Sequence, residues 1–158
     1  DQIGSTIAPE NARELAEKGV LLRDMIATQT DITHPEIPEV QGLAYVMFRS
    51  RDEDGAVRTC TTLKPARADR SPCGTGTNST MAVMHATGEI APGDKITTRS
   101  IINGEFSAEL IGEAQIGPYK GSRVRVTGQC WIYGMSQIGL DPSDPFRSGF
   151  ILSDTWGG

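Results

Sequence analysis

Two dipeptides, Asp54-Gly55 and Asn103-Gly104, constrain this chain more than any other feature of its sequence. Asp-Gly and Asn-Gly tolerate the positive φ that tight hairpin turns demand, and each lies between short runs suited to strands. The first joins candidate strands at residues 42–49 and 56–63, and the second joins residues 95–102 and 105–111. Both positions of each turn are expected to take positive φ. A further strand is expected over residues 122–133, SRVRVTGQCWIY, with a bulge at Gly128. The 18 glycines and 9 prolines agree with short strands and many turns rather than a helical bundle.

Two helices complete the pattern. In APENARELAEKGVLLRDMIATQ, Pro9 suits a first turn, and Ala12, Leu15, Ala16, Gly19, Leu22 and Ile26 fall on one face. Gly19 could end a shorter helix as its C-cap, but the stripe continues past it and favours one long helix. The second helix is expected over residues 76–87, closed by Gly88. Met81, Ala82, Val83, Met84 and Ala86 leave it almost no polar side, which predicts burial. Its small residues Gly76, Ser79, Ala82 and Ala86 would let strands approach closely. The fold class expected is therefore mixed α/β, antiparallel hairpins wrapped around a buried central helix, in a first unit ending at residue 133. After Gly134 the chain is turn-rich yet carries Ile138, Leu140, Phe146, Phe150, Ile151, Leu152 and Trp156, as a segment that packs on something else would.

Charge narrows the function. Fifteen Lys and Arg against 20 Asp and Glu give a net charge of -5, which disfavours nucleic acid as a partner. Arg49, Arg51, Arg58, Arg67 and Arg70 are scattered among acids and read as a solvated surface. No apolar stretch approaches the roughly 18 residues that a membrane span requires. Cys60, Cys73 and Cys130 form neither a CxxC nor a dense framework, and no signal peptide is visible, so a reducing, cytoplasmic location is expected.

One stretch concentrates chemistry: DRSPCGTGT, residues 69–77, at the start of the second helix. It is no Walker loop, because no Gly-Lys-[ST] occurs in the chain, and it is no dinucleotide fingerprint, because Ser79 stands where a third glycine belongs. A metal is not expected. His85 lies on the order of 18 Å along the same helix from Cys73, and His34 is the only other histidine. A nucleophilic cysteine with a histidine base is not indicated either. There remains a thiolate at a helix N-terminus, where the dipole and free N–H groups favour negative charge. The N–H groups of Gly74, Thr75 and Gly76 could hold a carboxylate beside it. Cys73 could then remove the α-proton of the bound acid. On local chemistry alone, a buried structural cysteine in a tight turn explains the stretch equally well.

DRSPCGTGT, the apolar helix ending in HATGEI, the upstream HPEIPEV and the terminal LDPSDPFRSGFILSDTW together resemble the proline racemase family. That family comprises proline racemases, hydroxyproline 2-epimerases and trans-3-hydroxyproline dehydratases. The resemblance implies a diaminopimelate-epimerase-like fold of two α/β halves with the site between them. It implies two opposed cysteines as acid and base, without pyridoxal phosphate or another cofactor. By the match Cys73 is one base, Gly74 and Thr75 hold the substrate carboxylate, and Asp69 contacts the ring nitrogen. The family's first cysteine motif, Met-Cys-Gly-His, is not found here. This predicts a C-terminal half whose residues 134–158 return to a first half, inactive on its own, and it leaves a homodimer open. Cys60 and Cys130 are expected mid-strand and structural.

Cys73, where dehydratases carry threonine, argues for a racemase or epimerase. Leu63, where proline racemases place phenylalanine, leaves room for a hydroxyl and leans towards hydroxyproline. The rivals are a dehydratase that retains Cys73 and a non-catalytic binder on the same half-fold. His85 is expected at a helix end or the core's edge, and His34 in a turn. The sequon Asn78-Ser79-Thr80 is incidental on a buried helix.

Overall fold

The computed structural model describes residues 3–150. A 3-10 turn, Pro9–Asn11, leads into α1 (Ala12–Ala27), and the chain then forms β1 (Tyr45–Arg51), β2 (Val57–Leu63) and β3 (Arg67–Ala68). Helix α2 (Gly74–Ala86) follows, then β4 (Lys95–Ser100), β5 (Glu105–Ile116) and β6 (Tyr119–Gly128). The strands form one six-stranded sheet in the order β1-β2-β4-β5-β6, with β3 alongside β2. The mixed α/β fold expected is present. All pairs are antiparallel except β2 with β4, whose parallel register, Val57↔Thr98 to Thr59↔Ser100, stitches the two hairpins into one sheet.

Both hairpins form, but with longer turns than the dipeptides suggest. Only Gly55 (φ 85) and Asn103 (φ 64) take positive φ; Asp54 and Gly104 do not. In the first turn Asp52 N–H donates to Ala56 O, and in the second Ser100 N–H donates to Gly104 O. These wider loops need one left-handed residue each, not two. Arg58 and Arg99 then tie the turns together. Asp52 accepts from Arg58 Nε (2.8 Å) and Arg99 Nη1 (2.6 Å), while Arg99 also pairs with Asp54 and Glu105. Arg58 further donates to Asn103 Oδ1. Arg49, Arg51, Arg67 and Arg70 are exposed as expected, whereas Arg58 is partly buried in this ion cluster.

Strand alternation puts the helices on opposite faces of the sheet. Val46, Phe48, Cys60 and Thr62 face α1, where Leu15, Phe48, Cys60, Ile7 and Ile101 form one core. Helix α1 runs unbroken through Gly19, and the reason is contact: a Cβ there would stand 1.8 Å from Thr62 Oγ1 and 2.6 Å from Thr62 Cβ. The opposite face carries α2, whose Met81 packs with Ala108 and Leu110, supported by Ile96, Val124 and Val126. Removing side chains such as Leu15, Met81 and Leu110 from water contributes about 1.5–3 kcal/mol each. Helix α2 is buried along one side through Gly76, Thr77, Thr80, Met81 and Met84, while Val83 on its outer side is 50 % exposed.

The last strand differs from its expected bounds. β6 starts at Tyr119, after a turn in which Gly117 (φ 52) donates its N–H to Glu36 Oε1, and it ends at Gly128 rather than 133. Its final pair is Phe106↔Gly128; beyond Glu105 the chain turns back into β4, so residues 129–133 find no partner strand. The bulge lies on β5 between Leu110 and Gly112, not at Gly128. Gly128 instead makes room for the Phe106 ring, which a Cβ would meet at 2.8 Å. Residues 129–150 form no helix or strand and leave Trp131, Ile132, Tyr133, Met135, Ile138 and Leu140 more than two-thirds exposed. Ile151, Leu152 and Trp156 of the expected packing segment lie outside the described residues. Among the described residues no helix is long and apolar enough to cross a membrane.

Candidate active site

The loop from β3 to α2 is assembled from Asp69 outward. Its N–H donates to Thr61 O (2.8 Å), which pins the loop to β2. Its carboxylate accepts from Ser71 N–H (3.0 Å) and Ser71 Oγ (2.9 Å), and Ser71 Oγ accepts from Cys73 N–H (3.1 Å). Pro72 is buried, with its carbonyl accepting from Thr59 Oγ1 (3.3 Å) and Thr77 Oγ1 (3.4 Å). Thr77 Oγ1 meets Thr98 Oγ1 at 3.0 Å. This buried scaffold forces Cys73 to φ 64, ψ 111, a conformation that L side chains rarely adopt. Strain of this kind persists only where the surroundings over-determine the backbone.

Cys73 is the N-cap of α2, and its Sγ accepts from Gly76 N–H at 3.3 Å. The Gly76 amide, expected beside those of Gly74 and Thr75 as a carboxylate donor, is therefore turned towards the sulfur. The amides of Gly74 and Thr75 open the helix and have no carbonyl one turn back to bond, and both residues are exposed. A carboxylate could approach them next to the half-buried thiol. Gly76 is required by crowding: a Cβ there would stand 2.0 Å from Met47 Cε and 3.3 Å from Cys73 Sγ.

Leu63 ends β2 and pairs across with Tyr45 on β1, on the face that α2 covers. Tyr45 is the residue that the sequence did not single out. Its phenol is held above the ordinary tyrosine value, first by burial and then by the charge of Cys73. The only signal for it in the sequence was its parity with Met47 along the strand. Ser71 lay in view inside DRSPCGTGT, but its role as relay between Asp69 and Cys73 needs the loop's geometry. A cleft of about 1180 Å³ runs along the β1 edge, with Tyr45, Met47, Gly76, Thr80 and Val83 in its wall; Cys73 lies beside it, behind Gly76.

The other singled-out residues fall elsewhere. His34 is a turn residue whose Nδ1 accepts from Glu36 and Ile37 N–H (both 3.1 Å). His85 lies in the last turn of α2 between Ser122 Oγ (3.5 Å) and Glu113 Oε1 (3.7 Å). Cys60 is fully buried in β2, and burial, with Asp69 adding its charge, pushes its thiol up to about 11. Cys130 lies past the end of β6 and is exposed, not mid-strand as expected, because β6 loses its partner at Phe106. Asn78 sits on α2, half-buried. Among the described residues no three of His, Cys, Asp and Glu gather as a metal-binding set would.

A 4-hydroxyproline 2-epimerase from Allorhizobium ampelinum is 47% identical over 156 residues, which is 99% of this chain and 45% of that protein. A 4-hydroxyproline 2-epimerase 1 from Rhizobium rhizogenes matches at the same identity and coverage. Among solved structures, a hydroxyproline epimerase from Agrobacterium vitis with bound trans-4-hydroxy-L-proline has a TM-score of 0.81 and 47% identity, covering 99% of this chain and 45% of that one. A probable proline racemase from Agrobacterium radiobacter with bound carbonate has a TM-score of 0.82 and 46% identity, with 99% and 46% coverage. The chain thus spans about half the length of the relatives it matches. The family model described as proline racemase matches residues 1–151, which include the whole Asp69–Cys73–Thr75 loop, and the chain belongs to the proline racemase family.

Proposed function

We propose that this chain is the C-terminal half of a cofactor-independent racemase or epimerase acting at Cα of proline or hydroxyproline, with Cys73 as one of two opposed bases. The observation that carries the reading is the placement of Cys73: a strained helix cap, with two uncommitted amides beside its sulfur. Gly74 and Thr75 N–H hold the substrate carboxylate. The Cys73 thiolate takes the proton from Cα, becoming a thiol, and the electron pair left behind spreads onto the carboxylate, where the same amides stabilise it. A group on the other half delivers a proton to the opposite face, and the configuration inverts. Asp69 contributes negative charge for the protonated ring nitrogen. The family match and two relatives named hydroxyproline epimerases support the reaction class.

Leu63, half-buried at the end of β2, is proposed to face the substrate ring and, being smaller than phenylalanine, to leave room for a hydroxyl, so hydroxyproline is the proposed substrate. The opposing base belongs to a first half that residues 1–158 do not contain. Residues 134–158 are proposed to pack on that half, a reading supported by the exposure of Met135 (94 %) and Ile138 (91 %). The 158 residues alone are then inactive. The test uses protein expressed from the complete natural reading frame, with trans-4-hydroxy-L-proline followed by chiral chromatography. The C2 epimer is expected to appear, and Cys73→Ser is expected to lower turnover by about two orders of magnitude or more. Near-normal turnover in that variant would overturn the assignment. An imine product in place of the epimer would instead support a dehydratase.

A further inference from the structure

Asp69 is a half-buried carboxylate without a cation of its own. Asp52 sits between Arg58 and Arg99, whereas among the described residues no Lys, Arg or His pairs with Asp69, and Arg67 and Arg70 beside it on the loop are exposed. Both donors that its carboxylate has among the described residues come from Ser71, the N–H to Oδ1 (3.0 Å) and the hydroxyl to Oδ2 (2.9 Å). A carboxylate offers about four acceptor positions, so each oxygen keeps one more. A secondary ring ammonium matches them, with two N–H groups and the positive charge that a half-buried carboxylate lacks here.

We propose that Ser71 is a positioning residue that holds Asp69 and Cys73 in register for a substrate whose ring nitrogen and Cα are adjacent atoms. A serine hydroxyl has one proton. With that proton given to Asp69 Oδ2, its lone pairs face Cys73 N–H, from which it accepts at 3.1 Å. The carboxylate that binds the nitrogen and the residue that takes the Cα proton thus share one hydroxyl. The serine is fixed on both sides. Asp69 N–H donates to Thr61 O before it, and after it the carbonyl of buried Pro72 accepts from the Thr59 and Thr77 hydroxyls. Cys73 needs such a hold, because its backbone at φ 64 persists only where the surroundings over-determine it. Without the hydroxyl, Asp69 keeps the Ser71 N–H but is free to turn about it, and Cys73 N–H loses its acceptor. A misplacement of about 1 Å between a reacting atom and its catalytic group can cost about 10²-fold in rate.

The proposal rests on the reading of Cys73 as a base and Asp69 as the ammonium contact, and its test is a double-variant cycle. Protein from the complete natural reading frame is used, with kcat/KM for trans-4-hydroxy-L-proline followed by chiral chromatography. Ser71→Ala removes a hydrogen bond to a charged acceptor and is expected to lower kcat/KM about tenfold or more. Ser71→Thr keeps the hydroxyl, and the extended backbone favoured before Pro72 suits a β-branched side chain, so it should stay within about threefold of wild type. Asp69→Ala removes the acceptor that directs the serine proton, so adding Ser71→Ala to it should change kcat/KM by less than about twofold. The fold control is Cys60, fully buried, which should resist alkylation in every variant. Losses that multiply in the double variant would make Ser71 merely structural and overturn the proposal. It is equally overturned by a Ser71→Thr protein that is folded yet as impaired as Ser71→Ala. Wild type that turns over while Ser71→Ala matches it within about twofold overturns the proposal alone and leaves the reaction assignment standing. Wild type that forms no epimer overturns the assignment, and the proposal with it.

Discussion

Replacing Gly19 with alanine isolates the contact that seats α1 on the sheet. An added Cβ would stand 1.8 Å from Thr62 Oγ1, 2.6 Å from Thr62 Cβ and 3.1 Å from its Cγ2. Rotating Thr62 moves Oγ1 and Cγ2 but not Cβ, so the helix must shift. Overpacking of this kind costs about 1–3 kcal/mol. Displacing Thr62 also endangers its bond to Val46 O (3.0 Å), a loss of about 1 kcal/mol, whereas alanine in place of glycine gains about 1 kcal/mol of helix propensity. The net expectation is destabilisation by about 2 kcal/mol, or a Tm lower by about 4–8 °C for a domain of this size. Thermal melts by circular dichroism at 222 nm read this directly. Adding Thr62→Ala removes the Oγ1 and Cγ2 clashes but not the 2.6 Å one, so the double variant should recover only part of the loss. A Gly19→Ala variant as stable as wild type would refute the contact argument and make Gly19 incidental.

Arg58, and then Arg99, hold the Asp52 carboxyl below the ordinary aspartate range. A depressed carboxylate contributes stability above its unfolded value, near 3.9, and loses it as pH falls through the folded value. Asp52→Asn should therefore lower Tm at pH 7, and the gap to wild type should close as pH falls below about 4; a gap unchanged at low pH would contradict the ion cluster. Native alkylation should label the exposed Cys130 at once and spare Cys60, raised to about 11 by burial, until the protein unfolds. Rapid labelling of native Cys60 would contradict the buried assignment. Leu63→Phe should shift kcat/KM towards proline over hydroxyproline by about 10–200-fold, the range for a single pocket group; an unchanged ratio would remove Leu63 from the substrate wall.

The elements whose signals are local were legible in the sequence. Asp54-Gly55 and Asn103-Gly104 marked two real hairpins, and the apolar stripe carried α1 correctly through Gly19. What failed depended on partners distant in the chain. The end of β6 is set by where β5 begins, so 129–133 looked like strand and Cys130 looked structural. The parallel β2–β4 pair leaves no mark in either strand's own sequence. DRSPCGTGT announced Cys73 because a cysteine between small residues at a helix start is unusual. Tyr45 had no such context, since its meaning comes only from the β1 register that brings it beside the α2 cap. Burial of α2 was overestimated because composition reports apolar content and not which side another element covers; Val83 remains half-exposed.

Solvent isotope uptake tests the role of Cys73 most directly. Protein from the complete natural reading frame is incubated with hydroxyproline in D₂O, and recovered substrate and product are read by ¹H NMR and mass spectrometry. Cys73 acting as a base predicts deuterium at Cα of the epimer, one atom per inversion, and loss of product labelling in Cys73→Ala. Epimer formed without deuterium at Cα, or wild-type labelling in the alanine variant, would contradict proton transfer by Cys73.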